Sequence, residues 1–335
     1  METEVTVSKK GITGTGLKII ALVAMFIDHF AAILLNDYLT KRIPQSFVSS
    51  QQMQQWFTAH AGVALVYVLM IIMRLIGRFG FPLFVFLLVE GFMHTRSVVK
   101  YALNLGAFAL ISELPFNLGF ISKLFYSGYQ NVFFTLLLGL LCMAGMKYLS
   151  EKFKSKKGCV PLFYLASLLF GAFAAYYLLK HVFIIAMFIK LKTVMFYVVL
   201  GIAAFISLIA FSVIGGKWDV EKKNTFTFYV LPIVACSIMG DLLHTDYGAG
   251  GVFTIAVMYL FRADKFKAFA LGCMTLTLMS ISEATAYFML FPVAKYNGER
   301  GMKLNKYFFY AFYPVHLGLI YLLTLLLGFT GFAIR

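Results

Sequence analysis

Long apolar runs separated by short polar and basic turns recur along the whole chain. The first, Lys18 to Tyr38, reads KIIALVAMFIDHFAAILLNDY, about 20 nearly unbroken apolar residues, the length a helix needs to cross a bilayer. Near its middle stand Asp28 and His29, an ionisable pair where hydrocarbon would normally be. Such groups cost about 2.5–3.5 kcal/mol each at membrane depth, so they face a protein interior or a watery cavity. Lys18 and His29 are eleven positions apart, almost three helical turns, and project from one face about 16 Å apart along the axis. A cation at the membrane edge above an imidazole near the midplane is a frame for a long anionic cofactor reaching inward.

After this run, Thr40 to His60 is polar and glutamine-rich, a loop or a surface helix. Ala61 to Met93 is apolar again, but its 33 residues exceed one span, and Gly77, Gly80 and Pro82 signal a break. Two helices meeting at Arg74–Gly80 are expected, the second ending within Glu90–Arg96. Further spans are expected at Tyr101–Phe120, Asn131–Met146, Pro161–Leu179, about Lys192–Ile214, Phe226–Leu243 and Val252–Phe261, and a last one from Tyr307 to about Leu327. His181, Lys190 and Lys192 mark the boundary between the two middle spans. The basic stretches Arg262–Lys267 and Lys295–Lys306 flank one apolar run, Ala268–Phe291, around Glu283. Since one crossing should separate them, either that run is a re-entrant pair or the positive-inside bias fails there.

The pattern predicts an all-α, polytopic helical bundle of about 9–11 transmembrane helices. Residues 1–16 are expected as a loose cytoplasmic tail, and 17–335 as a single transmembrane domain. Composition agrees: 61% of the 335 residues are hydrophobic and 13% charged, against about 25% charged in soluble domains. The net charge of +15 sits in short loops, as anionic headgroups and the positive-inside bias produce, so nucleic acid is not expected as a partner. Four cysteines without a C-x-x-C read as small buried hydrophobes, and no metal is expected.

Candidate chemistry lies in the ionisable residues inside the apolar runs, which either neutralise one another or line a polar cavity. His29 suits a general base near neutral pH. Asp28 diverges from it by about 100° around the helix and is expected to pair with an arginine across the bundle. Arg74 and Arg78, at i and i+4, could clamp phosphates or a carboxylate. Glu90 and His94 share that spacing and could orient one another, and Asp241, His244 and Asp246 form a weak metal candidate. Tyr310 reads as interfacial, whereas His316 lies deeper. With no P-loop, Rossmann fingerprint, G-x-S-x-G or H-E-x-x-H in a supporting context, these residues alone leave an enzyme and a proton-coupled transporter both open.

Several stretches are distinctive: LKIIALVAMFIDHF (17–30), RLIGRFGFPLFVFLLVEGFMHTR (74–96), YALNLGAFALISELPFNL (101–118), NVFFTLLLGL (131–140), DYGAGGV (246–252) and FFYAFYPVHL (308–317). In these the chain resembles the TraX family, membrane proteins that include an acetylase of the conjugative pilin N-terminus. That family is similar to a wider set of transmembrane acyltransferases, whose bacterial O-acetyltransferases carry an arginine, ten residues and a histidine in one helix. Here that pattern falls on Lys18 and His29, with lysine for arginine. The resemblance implies a membrane-embedded acetyltransferase in the cell inner or cytoplasmic membrane. It would pass acetyl from cytoplasmic acetyl-CoA to a hydroxyl or amine at the extracytoplasmic face: an envelope glycan, a glycolipid or a peptide N-terminus. His29 would be the base, with Asp28, Glu113, His94, His316 and Tyr313 as further catalytic candidates. Lys18, Arg74 and Arg78 would neutralise CoA phosphates, and Asn131 or Tyr313 would donate to the oxyanion.

Overall fold

The computed structural model describes residues 10–44, 46, 49–182, 193–302 and 305–329, and every described element of regular structure is helical. Among the described residues, eight helices are long and apolar enough to cross a membrane, joined by the shorter apolar segments Gly248–Leu260 and Ile281–Ala294. The chain is a multi-pass membrane protein.

Helix α1 spans Gly14–Arg42. Thr13 caps it, its hydroxyl accepting from the Gly16 N–H, and a π turn over Phe30–Leu35 interrupts it directly after His29. The expected loose tail is in fact tied down from Ile12 onward: Ile12 N–H donates to Lys295 O at 2.8 Å and Thr15 N–H to Arg300 O at 2.9 Å. Residues 1–9 of that tail lie outside the described residues. The glutamine-rich segment forms an exposed surface helix, α2 (Ser50–Ala59). The long run after it breaks where expected, into α3 (Ala61–Gly77) and α4 (Gly80–His94).

Helices α5 (Val98–Ile121), α6 (Val132–Phe153), α7 (Val160–His181), α8 (Thr193–Gly215) and α9 (Val220–Leu242) follow. The expected boundary at Lys190 and Lys192 falls outside the described residues. The largest fully buried side chains come chiefly from α1, α4, α6, α10 (Gly248–Leu260) and α11 (Lys265–Met279), among them Leu17, Leu83, Met143, Met258 and Phe269. Helix α8 stands at the periphery against α7, where Ser207 Oγ donates to Ser167 O at 2.7 Å.

The run between the two basic stretches is a re-entrant pair. Helix α11 is about 22 Å long, short of the roughly 30 Å hydrocarbon core, and ends at the extended Ser280. The chain returns through a 3₁₀ helix, Ile281–Met289, and α12 (Leu290–Ala294). Both arms end on one face, where Lys265 Nζ lies 4.5 Å from the centre of the Tyr296 ring. Irregular backbone at membrane depth must be buried in protein. Here the hairpin tip packs against the α3–α4 break, with Thr285 Oγ1 donating to Leu75 O at 2.8 Å. The last helix, α13 (Lys306–Leu326), runs beside α5.

The hydrogen bonds and ion pairs tie the start of α1, the end of α4 and the hairpin ends to one face, which also carries the basic stretch Lys147–Lys157. On a background without the four native cysteines, Lys267→Cys and Asn297→Cys should react with an impermeant maleimide from the same side, and Lys123→Cys from the opposite side. Labelling of the first two from opposite sides would show that the run crosses the membrane once.

Candidate functional site

His29 ends the α-helical part of α1, immediately before the π turn. Its Nδ1 lies 2.7 Å from Nε2 of His316 on α13. The Tyr313 and Phe120 rings stand edge-on to it at 5.5 and 5.4 Å. With Asp28, Gly77, Phe81, Asp246, Tyr247 and Tyr313, His29 lines a chamber of about 60 Å³.

Beside it lies an ionic cluster. Asp28 Oδ2 accepts from Arg74 Nη1 at 2.6 Å, Asp28 Oδ1 faces Arg78 Nη2 at 3.5 Å, and Arg78 Nη1 donates to Glu283 Oε1 at 2.9 Å. Arg78 also donates to the Arg74 carbonyl at 3.2 Å, which fixes the two guanidiniums side by side. Two cations meet two carboxylates, the neutral sum that burial at membrane depth requires. The close approach depends on Gly77, where a Cβ would overlap the Asp28 carboxylate.

The chamber's far wall is a strained turn between α9 and α10. His244, Tyr247 and Gly248 all have positive φ, at 51°, 64° and 48°, a conformation that side-chain-bearing residues adopt at a cost. The turn is held by Ala249 N–H on Asp241 Oδ1 at 2.7 Å and by Tyr247 stacked on Phe81 at 3.8 Å. Gln130 adds a two-way backbone bridge to His244 and Asp246. Asp246 accepts from the Tyr129 hydroxyl at 2.9 Å. Burial pushes its carboxyl up to about 6, against the opposing pull of Tyr129 and Arg78.

A row of cavities that share wall residues runs from this chamber to the basic face. Met25, Phe84, Val132, Leu136 and Tyr313 line both the chamber and an adjoining waist of about 180 Å³ with mostly apolar walls. The waist in turn shares Lys18, Tyr101, Arg300 and Tyr310 with a mouth of about 670 Å³. The mouth also presents Arg96, Lys100 and His94. No salt bridge among the described residues engages Lys18, Arg96, Lys100 or Arg300. Lys18 thus lines the waist and the mouth, and His29 the chamber, of one row of cavities.

The expected residues divide accordingly. His29, Asp28, Tyr313 and, through His29, His316 come together at the chamber, and Lys18 stands at the mouth. Arg74 and Arg78 do not reach the mouth: they clamp carboxylates rather than phosphates, because the buried Asp28 and Glu283 need counter-ions. Asn131 is fully buried as the cap of α6. Its Nδ2 donates to Ala109 O at 2.8 Å and to Glu113 Oε1 at 2.5 Å, leaving it nothing for an oxyanion. Glu113 is consumed by the same bonds and by the Asn131 N–H at 3.0 Å, so it fastens α5 to α6 and lines none of the three cavities. His94 caps its own helix end through the Glu90 carbonyl at 2.8 Å and lines the mouth, far from His29 in the row of cavities. The Glu90 carboxylate takes Lys265 and the Tyr296 hydroxyl instead of His94. Asp241, His244 and Asp246 do not converge, and no group of three metal-ligating residues occurs among the described residues. Sequence reasoning missed Arg96, Lys100 and Arg300, which in the sequence look like any other loop cations.

Arg78→Met would leave Asp28 and Glu283 undercompensated and should cost about 3–5 kcal/mol of stability, read as thermal unfolding in detergent. Arg74→Met should cost less, because that side chain is 36% exposed against 17% for Arg78. The folded state holds the Asp246 proton to higher pH than an unfolded carboxyl, which titrates near 3.8. Stability should therefore fall as pH rises through the window from 3.8 to about 6. Asp246→Asn should flatten that slope.

Residues 13–232 and 205–324 match the model of a family described as TraX protein. The chain is also 31% identical over 135 residues to the probable fimbrial assembly protein FimC, serogroup H1, of Dichelobacter nodosus. That alignment covers 38% of this chain and spans 43% of the relative's length. No solved structure matches the chain. With nearly all of the described helices inside the matched residues, the chain belongs to the TraX protein family.

Proposed function

We propose that the protein is a membrane-embedded acetyltransferase that takes acetyl from acetyl-CoA at its basic face and passes it to an acceptor from the opposite face. The observation that carries this reading is the row of cavities: cations that make no salt bridge among the described residues at a wide mouth, an apolar waist, and an imidazole at the inner end. CoA has matching parts in that order. Its phosphates suit Lys18, Arg96, Lys100 and Arg300, its pantetheine arm suits the waist, and its thioester would reach the chamber. The basic face is the cytoplasmic one by the positive-inside bias, the side on which acetyl-CoA is made.

His29 takes the proton of the acceptor hydroxyl or amine as that group attacks the thioester carbonyl. The tetrahedral intermediate collapses with cleavage of the carbon–sulfur bond, and the imidazolium returns its proton to the departing thiolate. Tyr313, shared by chamber and waist, would donate its hydroxyl to the developing oxyanion. The fimbrial-assembly role in the name of the Dichelobacter relative supports a fimbrial subunit as acceptor.

Purified protein in detergent should bind acetyl-CoA and turn it over. His29→Ala should keep binding and lose turnover by about 10²–10⁴-fold. Turnover unchanged in that variant would remove His29 from the chemistry, and no acetyl-CoA binding in either protein would put a carrier first. Lys100→Glu with Arg300→Glu should raise KM for acetyl-CoA by about tenfold or more and leave kcat nearly unchanged, since these charges act on binding alone.

A further inference from the structure

The His29 and His316 rings lie edge to edge in one plane, their centres 5.0 Å apart and the planes inclined by only 2°. A contact of 2.7 Å between Nδ1 of His29 and Nε2 of His316 needs one proton between the two nitrogens. Which ring supplies it is settled one step further along. Nδ1 of His316 lies 2.6 Å from the carbonyl oxygen of Phe312, one turn back on α13. A carbonyl only accepts, so His316 carries its hydrogen on Nδ1. With both rings neutral, Nε2 of His316 then holds a lone pair, and the shared proton belongs to Nδ1 of His29. The one remaining ring nitrogen of His29, Nε2, is left with a lone pair, on the ring that lines the chamber.

We infer that His316 is a positioning residue that locks His29 in the Nδ1–H tautomer and so leaves Nε2 free as the base. The consequence for catalysis rests on the acetyl-transfer reading; the tautomer itself does not. The lock uses a neutral acceptor where hydrolases use a carboxylate. Asp28, the carboxylate nearest in sequence, is unavailable because both its oxygens face guanidiniums.

The surroundings are built to hold this arrangement. His316 is 3% exposed, with the Phe312 ring stacked on it at 4.8 Å. The π turn that follows His29 lies against α13. When Nε2 of His29 accepts the acceptor's proton, the Nδ1–H bond to His316 becomes charge-assisted and strengthens. The pair therefore favours the transition state over the resting state, with no second proton transfer.

Ring-nitrogen NMR of the full chain in detergent, labelled at histidine and assigned with His29→Gln, reads the tautomer directly. Native protein should show His29 protonated at Nδ1, and His316→Leu should abolish that preference. In parallel, acetyl transfer should fall about 10²–10⁴-fold in His316→Leu, the worth of a general base that is lost when the imidazole is left in the wrong tautomer. His316→Gln, which places an amide oxygen near the former Nε2, should recover turnover to within about tenfold of the native protein. A His29 proton on Nε2 in the native protein would overturn the inference. So would Gln restoring no more than Leu while both variants melt like the native protein. Absence of turnover in the native protein with the Nδ1–H tautomer present would count against acetyl transfer and leave the lock standing.

Discussion

The interaction on which the rest depends is the ionic cluster of Asp28, Arg74, Arg78 and Glu283. Charges at membrane depth persist only if they compensate one another or reach water, and here two of each sign meet. Satisfying them dictates the backbone around them. Position 77, at the end of α3, must be glycine to let the Asp28 carboxylate approach. The α11 hairpin must turn back where Glu283 can reach Arg78. Two irregular segments, each costly in lipid, are thereby buried against each other. The same cluster fixes the rotational setting of α1 and so turns His29 into the chamber.

The cluster also explains why cations of one kind serve two purposes. Arginine suits the buried positions because it stays charged and its planar fork lets Arg78 reach Asp28 and Glu283 at once. The mouth, open to water, needs only positive potential, which lysine and arginine supply alike. Position in the membrane, rather than residue type, decides which cations remain available to an anionic ligand. The strained turn at His244–Gly248 obeys the same economy, because strain persists where the surroundings over-determine it. Asp241 shows how: its two oxygens bind the turn through Ala249 and bind α7 through Lys180, at 3.0 Å, and His181, at 2.8 Å.

Most of the fold was legible because its signals are local. The spans announce themselves by length and hydropathy, and the break after Arg74 by Gly77, Gly80 and Pro82. The parity conflict around Ala268–Phe291 already named the re-entrant pair as one of two answers, and the structure selects it. The π turn was not legible, since Phe30–Leu35 has no composition that separates it from ordinary α-helix. At the site, Lys18 and His29 could be aligned from helical spacing alone, and an arginine partner for Asp28 followed from the cost of a lone buried charge. The partners of Asn131, Glu113 and His94 were not legible, because they are backbone groups or residues brought near by folding. Asn131 lies eighteen positions from Glu113, and no period in the sequence connects them.

The His29–His316 pair marks where sequence reasoning stops and geometry takes over. The two residues are 287 positions apart and sit on helices at opposite ends of the chain. Each alone reads as an isolated polar group on an apolar helix. Their meaning is the order of hydrogen-bond donors along a line from Phe312 through His316 to His29, and it depends on two distances and one dihedral plane. A shift of α13 by one residue would turn His316 about 100° away from His29 and leave the base without a fixed tautomer. The packing of α13 against α5 and the π turn, apolar and without chemistry of its own, therefore determines which nitrogen of His29 keeps its lone pair.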